Sequence, residues 1–264
     1  MKLFKLFLII LIEGISEWLP ISSSGHLLIF DYFFNLDYRS SFKELLFIII
    51  QLGASFAIII SYFHNLHPFF KKKEEKKRVY ELYLKLIIAS IPGAIVTLLF
   101  DEYIEKYLHT PLTIAIMLII YGIAFILVEH FYKKRECYSD SISYKDAFFI
   151  GLFQTLSIIP GTSRSGATIV GGLSLGQRRE TISEFSFYMA LVAIMGMSII
   201  KLFKYELVFT REEIIVLLIS SIGAFLVSQL TIKYLLRYIK KHSFIFFAIY
   251  RLFLGFTIIA LLVF

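Results

Sequence analysis

The sequence predicts an all-α polytopic membrane protein: about six transmembrane helices plus two opposed re-entrant helical hairpins that form an inverted repeat. The first supporting observation is composition. The 264-residue chain is 58% hydrophobic and 18% charged, with a mean hydropathy of +0.77. Soluble globular domains are about 25% charged. This composition excludes a disordered chain, a coiled coil and an ordinary soluble enzyme.

The second observation is a set of long apolar stretches. An apolar helix needs about 20 residues to cross the hydrocarbon core of a bilayer. The sequence predicts six spans, at residues 45–63, 79–100, 107–128, 185–200, 214–232 and 243–264. Apolar segments run to both ends, so we expect one integral membrane domain over residues 1–264.

The third observation is that two apolar regions, residues 3–30 and 145–176, are interrupted by segments rich in Pro, Ser and Gly, at 20–25 and 160–166. Each remaining piece is about ten to fifteen residues long, or roughly 15–22 Å of helix, which crosses about half a bilayer. Broken backbone is tolerated in a membrane where protein groups satisfy its polar atoms. We interpret both regions as re-entrant hairpins, with a kinked full span as the alternative.

Basic residues predict the orientation. Sixteen Lys and Arg lie in the loops after the first, third and fifth spans and after the second hairpin, against eight on the other side. Because cytoplasmic loops are enriched in Lys and Arg, both termini and the 101–111 loop are expected outside, and the 64–80 loop in the cytoplasm. The hairpins then enter from opposite sides and their breaks meet near the midplane, as in inverted-repeat folds.

Glu13 and Glu17 are the first candidate site residues. Residues four apart share one face of a helix, and a charge inside a membrane costs about 2.5–3.5 kcal/mol. Two adjacent carboxylates need a proton or a cation between them. The pair predicts a general acid/base or a site for a divalent cation. A solvated helix end near the interface is the alternative.

The first break predicts an anion site, because a new half-helix begins there with free N–H groups. Hydroxyl groups can bind phosphate or act as nucleophiles, and a histidine can be nucleophile, base or acid near neutral pH. We expect catalytic roles for Ser22, Ser23 and His26 and substrate binding by Ser24 and Gly25.

The second break predicts a matching anion site. Arg164 offers a planar guanidinium suited to phosphate oxygens and is expected to be catalytic. The remaining residues of the break are expected to bind substrate: Gly161, Thr162, Ser163, Ser165 and Gly166.

Three more polar residues lie inside apolar segments: Gln51, Gln154 and Arg251. For these, hydrogen bonding between helices is as well supported as substrate contact, and Gln51 is assigned to substrate binding. No Walker A or His-Glu-x-x-His pattern occurs, and no nucleic-acid partner is expected. The single Cys137 excludes an internal disulfide and a multi-cysteine metal site.

The two breaks and their flanks resemble a known family. The run Glu13-Gly-Ile-Ser-Glu17-Trp-Leu-Pro-Ile-Ser-Ser-Ser-Gly25-His26 and the run Pro160-Gly-Thr-Ser-Arg-Ser-Gly166 resemble the two signatures of the undecaprenyl-diphosphatase, or bacitracin-resistance, family. Gln51-Leu-Gly53, Glu184-Phe-Ser-Phe187 and Tyr250-Arg251 also match family positions. Where family members usually have a Pro in the fourth span, this chain has Val192.

The resemblance implies an integral enzyme of the bacterial cell membrane. It would remove one phosphate from a C55 polyprenyl diphosphate, regenerating the lipid carrier for cell-wall synthesis, with help from Mg²⁺ or Ca²⁺. It implies roles for Glu13, Glu17, Ser22–Ser24, His26 and Arg164. The expected partners are the polyprenyl diphosphate and membrane lipids, and a homodimer is left open.

Two rival functions share some of these features. A transporter or flippase of an anionic lipid would also use inverted repeats with broken helices. The type-2 phosphatidate phosphatases share Ser-Gly-His and Ser-Arg fragments, but their next histidine would fall at Val170 and their Lys-x6-Arg-Pro element is missing. We therefore reject the second rival, and the nucleophile (a serine, His26 or a water) stays open.

Overall fold

The computed structural model describes residues 2–34, 38–69, 71–134, 138–203 and 209–263, and these residues form helices and turns without any strand. Cys137 and Phe264 lie outside the described residues. The helices are α1 Lys2–Ser16, α2 Ser23–Phe34, α3 Ser40–Ser61, α4 Phe63–Leu66, α5 Lys73–Leu108, α6 Pro111–Tyr132, α7 Tyr144–Thr155, α8 Arg164–Ser174, α9 Arg179–Leu202, α10 Arg211–Ile239 and α11 Ile245–Val263.

Six of these helices are long and apolar enough to cross a membrane, which confirms the predicted all-α fold and number of spans. They are α3, α5, α6, α9, α10 and α11. The α9 helix continues without interruption through Val192, consistent with the absence of proline there.

Two predicted boundaries were wrong. The third span does not begin at Tyr107, which belongs to α5. It begins at Pro111, because the Thr110 side chain accepts the Thr113 N–H at 3.1 Å and proline is favoured at the first helical position. The 101–111 loop is thus reduced to two residues. Likewise, the 64–80 loop ends early, because α5 already begins at Lys73.

Each interrupted apolar region forms two short helices around a break. The four helices are 15, 12, 12 and 11 residues long: α1 and α2 around the first break, α7 and α8 around the second. A single turn of 3₁₀ helix, Leu156–Ile158, ends α7. That each pair enters and leaves a bilayer on the same side stays a prediction.

The helix contacts follow a two-fold pattern. α1 packs on α2 and α10, just as α7 packs on α8 and α5. α3 contacts α9, and α6 contacts α11. Exchanging α1, α2, α3, α5 and α6 with α7, α8, α9, α10 and α11 reproduces these pairings, as the predicted repeat requires. The two breaks lie at the interface of the halves.

Candidate functional site

The two breaks are capped in the same way. Ser22 and Ser163 each have a positive φ, of 72° and 70°, a backbone conformation that is uncommon for residues other than glycine. The Ser163 hydroxyl accepts the Gly166 N–H at 3.1 Å, and the Ser22 hydroxyl accepts the Gly25 N–H at 3.4 Å. Each serine thus supplies a cap for the short helix that follows it.

The breaks also contact each other. The Gly161 N–H donates to the Ser24 hydroxyl at 3.1 Å, and the Ser165 hydroxyl donates to the Leu19 carbonyl at 3.3 Å. Gly161 has φ of +93°, and a Cβ there would lie 2.5 Å from the Ile114 carbonyl oxygen. This close approach requires glycine, and it brings the two predicted anion sites together.

Arg251 holds the backbone of both breaks. Its fully buried guanidinium donates to the Pro20 carbonyl at 3.2 Å and to the Gly161 and Thr162 carbonyls at 2.9 Å each. It also lies over the Tyr121 ring, 5.6 Å from the centroid. Two roles were left open for Arg251, hydrogen bonding within the protein and contact with substrate. The structure shows the first, since Arg251 bonds to the backbone of both breaks.

A carboxylate, a hydroxyl and a guanidinium meet beside the breaks. Arg164 forms an ion pair with Glu17, and a second guanidinium nitrogen donates to the Ala190 carbonyl at 3.1 Å. The Ser23 hydroxyl donates to the other Glu17 carboxylate oxygen at 3.1 Å. A hydroxyl that donates to a carboxylate beside a guanidinium is an arrangement typical of an activated nucleophile.

Glu13 lies deeper, fully buried one helical turn before Glu17. One of its oxygens accepts the Gln51 amide N–H at 3.2 Å, whereas the other has no hydrogen-bond partner among the described residues. An ionised carboxylate is not stable with an unpaired buried oxygen. Glu13 therefore needs a proton or a cation at that oxygen.

The residues present fit a hard divalent cation only in part. Mg²⁺ and Ca²⁺ bind oxygen ligands, and Mg²⁺ is often held by one or two carboxylates together with substrate phosphates. Glu13 and Glu17 supply such carboxylates. Within the described part of the chain no group of three or more His, Cys, Asp or Glu could hold a metal ion. Phosphate oxygens of a substrate would have to complete the ligand set.

His26 faces the scaffold rather than the other candidate residues. Its Nδ1 donates to the Ser22 carbonyl at 2.7 Å, and its Nε2 lies 2.7 Å from the Tyr250 hydroxyl. The two rings stack, with 8° between their planes. Both ring nitrogens are therefore engaged, and His26 fixes the first turn of α2. The sequence singled out Tyr250 only through the family resemblance.

The candidate residues divide between a cavity of about 590 Å³ and its supporting wall. The lining includes Glu17, Ser22, Ser23, Ser24, Gln51, Gln154, Ser163 and Arg164. The other candidates lie outside this lining: Glu13, Gly25, His26, Gly161, Thr162, Ser165 and Gly166. The sequence reasoning missed the polar side chains Ser90, Thr97, Thr155 and Ser157, which also line the cavity.

A buried ion pair was also missed. Glu129, fully buried at the end of α6, accepts from Arg179 at 3.0 and 2.5 Å and from the Phe244 N–H at 2.9 Å. It joins α6 to α9 and to the residue that precedes α11, and it does not line the cavity of the candidate site. The only hint in the sequence was an acidic residue at the end of an apolar span.

Known proteins resemble the chain over nearly its whole length. Residues 6–257 match the family model described as bacitracin resistance protein BacA. An undecaprenyl-diphosphatase of Enterococcus faecalis is 45% identical, with 98% of this chain and 96% of the relative covered. Proteins of the same name from Desulfitobacterium hafniense and Acetivibrio thermocellus are 43% and 40% identical, with 96% and 98% of this chain and 94% and 97% of the relatives covered. The chain therefore belongs to the BacA family of bacitracin-resistance proteins.

Proposed function

We propose that this protein is an undecaprenyl-diphosphatase that converts C55 polyprenyl diphosphate into the monophosphate and inorganic phosphate. The relatives named above carry that name at 40–45% identity. The observation that carries the proposal is the contact of the Ser23 hydroxyl with Glu17 beside Arg164. By regenerating the lipid carrier for cell-wall synthesis, the enzyme would confer resistance to bacitracin.

In the proposed reaction the diphosphate enters the cavity and attracts Arg164 away from Glu17. The half-helix N-termini and the guanidinium stabilise the charge of the phosphates. Ser23 Oγ attacks the terminal phosphorus, its proton passes to Glu17, the bridging P–O bond breaks and the lipid monophosphate leaves. Water then hydrolyses the phosphoserine, which releases phosphate and restores Ser23. His26 as nucleophile and a water activated by Glu13 or Glu17 are the alternatives.

We further propose that Glu13 and Glu17 hold Mg²⁺ or Ca²⁺ together with oxygens of the bound diphosphate. The unpaired buried oxygen of Glu13 supports this role. When bound, the cation would neutralise phosphate charge. Glu17 would then keep the carboxylate oxygen that faces Ser23 available as the base.

The test is phosphate release from undecaprenyl diphosphate by the purified protein in detergent, with and without EDTA. We expect release that EDTA suppresses and added Mg²⁺ or Ca²⁺ restores. Absence of release under every cation condition would overturn the function. Release that EDTA leaves unchanged would overturn only the cation.

The alternative, lipid transport, is less well supported. A transporter needs its two halves to move against each other around the site, whereas Arg251 and the Ser24–Gly161 bond tie the two breaks together. A nucleophile held on a base is also unnecessary for transport. Flipping of a fluorescent polyprenyl phosphate in liposomes by a protein without phosphatase activity would favour the rival.

We propose that the protein lies in the bacterial cell membrane with both termini outside. This orientation is supported by the excess of Lys and Arg in the loops assigned to the cytoplasm, sixteen against eight on the other side. On a Cys137→Ser background, a cysteine introduced at Lys73 should resist membrane-impermeant labelling in intact cells. Strong labelling there would reverse the orientation.

Membrane lipids are the expected neighbours of the exposed apolar faces, and a homodimer remains an expectation.

A further inference from the structure

The cavity changes character between its inner and outer ends. Its inner end is lined by Glu17, Arg164 and the serines of both breaks. Its outer end lies between α5 and α9 and has a mostly apolar lining, in which Leu98, Met197 and Ile200 stand beside Thr97 and Lys201. Leu98 and Ile200 are 79% and 50% exposed, so this end opens onto the lipid-facing surface. One continuous cavity thus joins an anion site to the hydrocarbon.

Glycines lie on both walls of the opening. Gly196 on α9 and Gly93 on α5 both line the cavity. A Cβ at Gly196 would meet no atom within 4 Å, and one at Gly93 would lie 3.8 Å from its nearest neighbour, the Gln154 amide nitrogen. Neither glycine is therefore required for packing between helices. The space they leave open is available to a ligand.

The cavity is too small to hold the whole of a long-chain lipid. A volume of about 590 Å³ is that of a site for a drug-sized ligand. A diphosphate bound at Arg164 leaves little room for a chain of fifty-five carbons, and an apolar chain is stabilised where it stays out of water. The chain must leave by an apolar route.

We propose that the isoprenoid tail of the substrate leaves the site through the opening between α5 and α9, and that Gly196 sets the width of this opening. This inference rests on the proposed function. The tail lies along Gly93, Leu98, Val192, Gly196, Met197 and Ile200. Substrates are then selected at this opening by the length and thickness of their tails.

Gly196→Phe tests the proposal, since a Cβ at Gly196 would meet no atom within 4 Å. Phosphate release is measured on diphosphates with tails of five, fifteen and fifty-five carbons. We expect kcat/KM on the longest substrate to fall at least about tenfold more than on the shortest. The matched control is Ile199→Phe, which adds a ring to a lipid-exposed position of α9 outside the cavity lining. It should show no such dependence on chain length.

Equal losses on all three substrates, or no loss, would overturn the proposal. A wild-type protein that releases no phosphate from any of them would instead overturn the proposed function.

A measurement of lipid binding tests the opening independently of activity. On a Cys137→Ser background, a thiol introduced by Gly196→Cys should be alkylated several-fold more slowly when undecaprenyl monophosphate is present. A thiol introduced by Ile199→Cys should not be protected, and equal rates at both positions with and without the lipid would contradict the tail path. Equal protection by a phospholipid would assign the opening to membrane lipid in general.

Discussion

The two breaks share a backbone frame and differ in their chemistry. Ser22 and Ser163 have nearly the same positive φ and cap the following helix by the same kind of bond. Gly25 and Gly166 follow three residues later in each case. The frame of each break thus holds a half-helix N-terminus in place whatever the neighbouring side chains are.

The side chains on this frame are different. The residue after the capping serine is Ser23 in the first break and Arg164 in the second. Glu13 lies on α1 and Glu17 directly follows it, whereas the end of α7 carries Gln154. In the proposed reaction, the first break thus supplies the nucleophile and the negative charge, and the second supplies the positive charge. Two breaks with the same backbone conformation can therefore carry different side chains, each set suited to a different part of one reaction.

The largest expected effect comes from removing the nucleophile. Ser23→Ala should lower kcat by at least about 10³-fold, because no oxygen is left to attack the phosphorus. Ser165→Ala removes a hydroxyl from the other break that bonds to the Leu19 carbonyl and the Ser163 hydroxyl but to no carboxylate, and should cost much less. Phosphate release by both purified variants checks the difference. Similar losses in the two would show that the breaks are not divided in this way.

The carboxylates come next. Glu17→Gln should lower turnover by at least about 10²-fold, as for other acid–base groups, and Glu13→Gln should do the same while raising the Mg²⁺ concentration needed for half-maximal activity. Cation titrations and melting curves in one detergent measure both effects. Near-normal turnover in folded variants would assign the pair to structure.

The two arginines should respond in opposite ways. Arg164→Lys keeps the charge but loses the fork geometry, so turnover should fall about tenfold or more while the melting temperature is kept. Arg251→Lys leaves buried carbonyls of both breaks without donors, at about 1–3 kcal/mol for each unsatisfied group, so the melting temperature should fall. An active Arg164→Lys variant together with an unstable Arg164→Ala variant would move Arg164 from the site to the scaffold.

The smallest effect is expected at the caps. Ser163→Gly relieves the positive φ and removes the hydroxyl, so the stability should change by only a few tenths of a kcal/mol. Ser163→Ala keeps the unfavourable φ and also loses the cap, so it should cost about 1–2 kcal/mol. Ser22→Gly and Ser22→Ala should show the same order. Thermal melts of all four variants test whether the frames are equivalent.

The sequence could predict what depends on local pattern. Six apolar stretches and two polar interruptions gave the helices and breaks, because each is a property of about twenty consecutive residues. Residues such as Glu17 and Arg164 stood out because charge is rare in apolar segments. The contact between Thr110 and Thr113 that starts α6 is also local, and the Thr110-Pro111 pair is its signal in the sequence.

What could not be predicted depends on contacts between distant residues. Arg251 is separated by 231 positions from Pro20, to whose carbonyl it donates, and no pattern distinguishes backbone support from substrate contact. The same holds for Glu129, whose partners lie on α9 and just before α11. His26 was expected to face the substrate, and only the structure shows Tyr250 at its second nitrogen.

The position of Arg251 along the chain has a consequence for biosynthesis. Helices enter the membrane in the order in which the ribosome makes them, and Arg251 belongs to α11, the last described helix. Until α11 is inserted, the Pro20, Gly161 and Thr162 carbonyls lack this donor. The nascent protein would therefore carry every residue of the reaction, in the lipid bilayer, before it has the geometry to use them. Activity would begin only once synthesis has passed α11, so an incomplete chain stalled in the membrane would be inert toward the lipid around it.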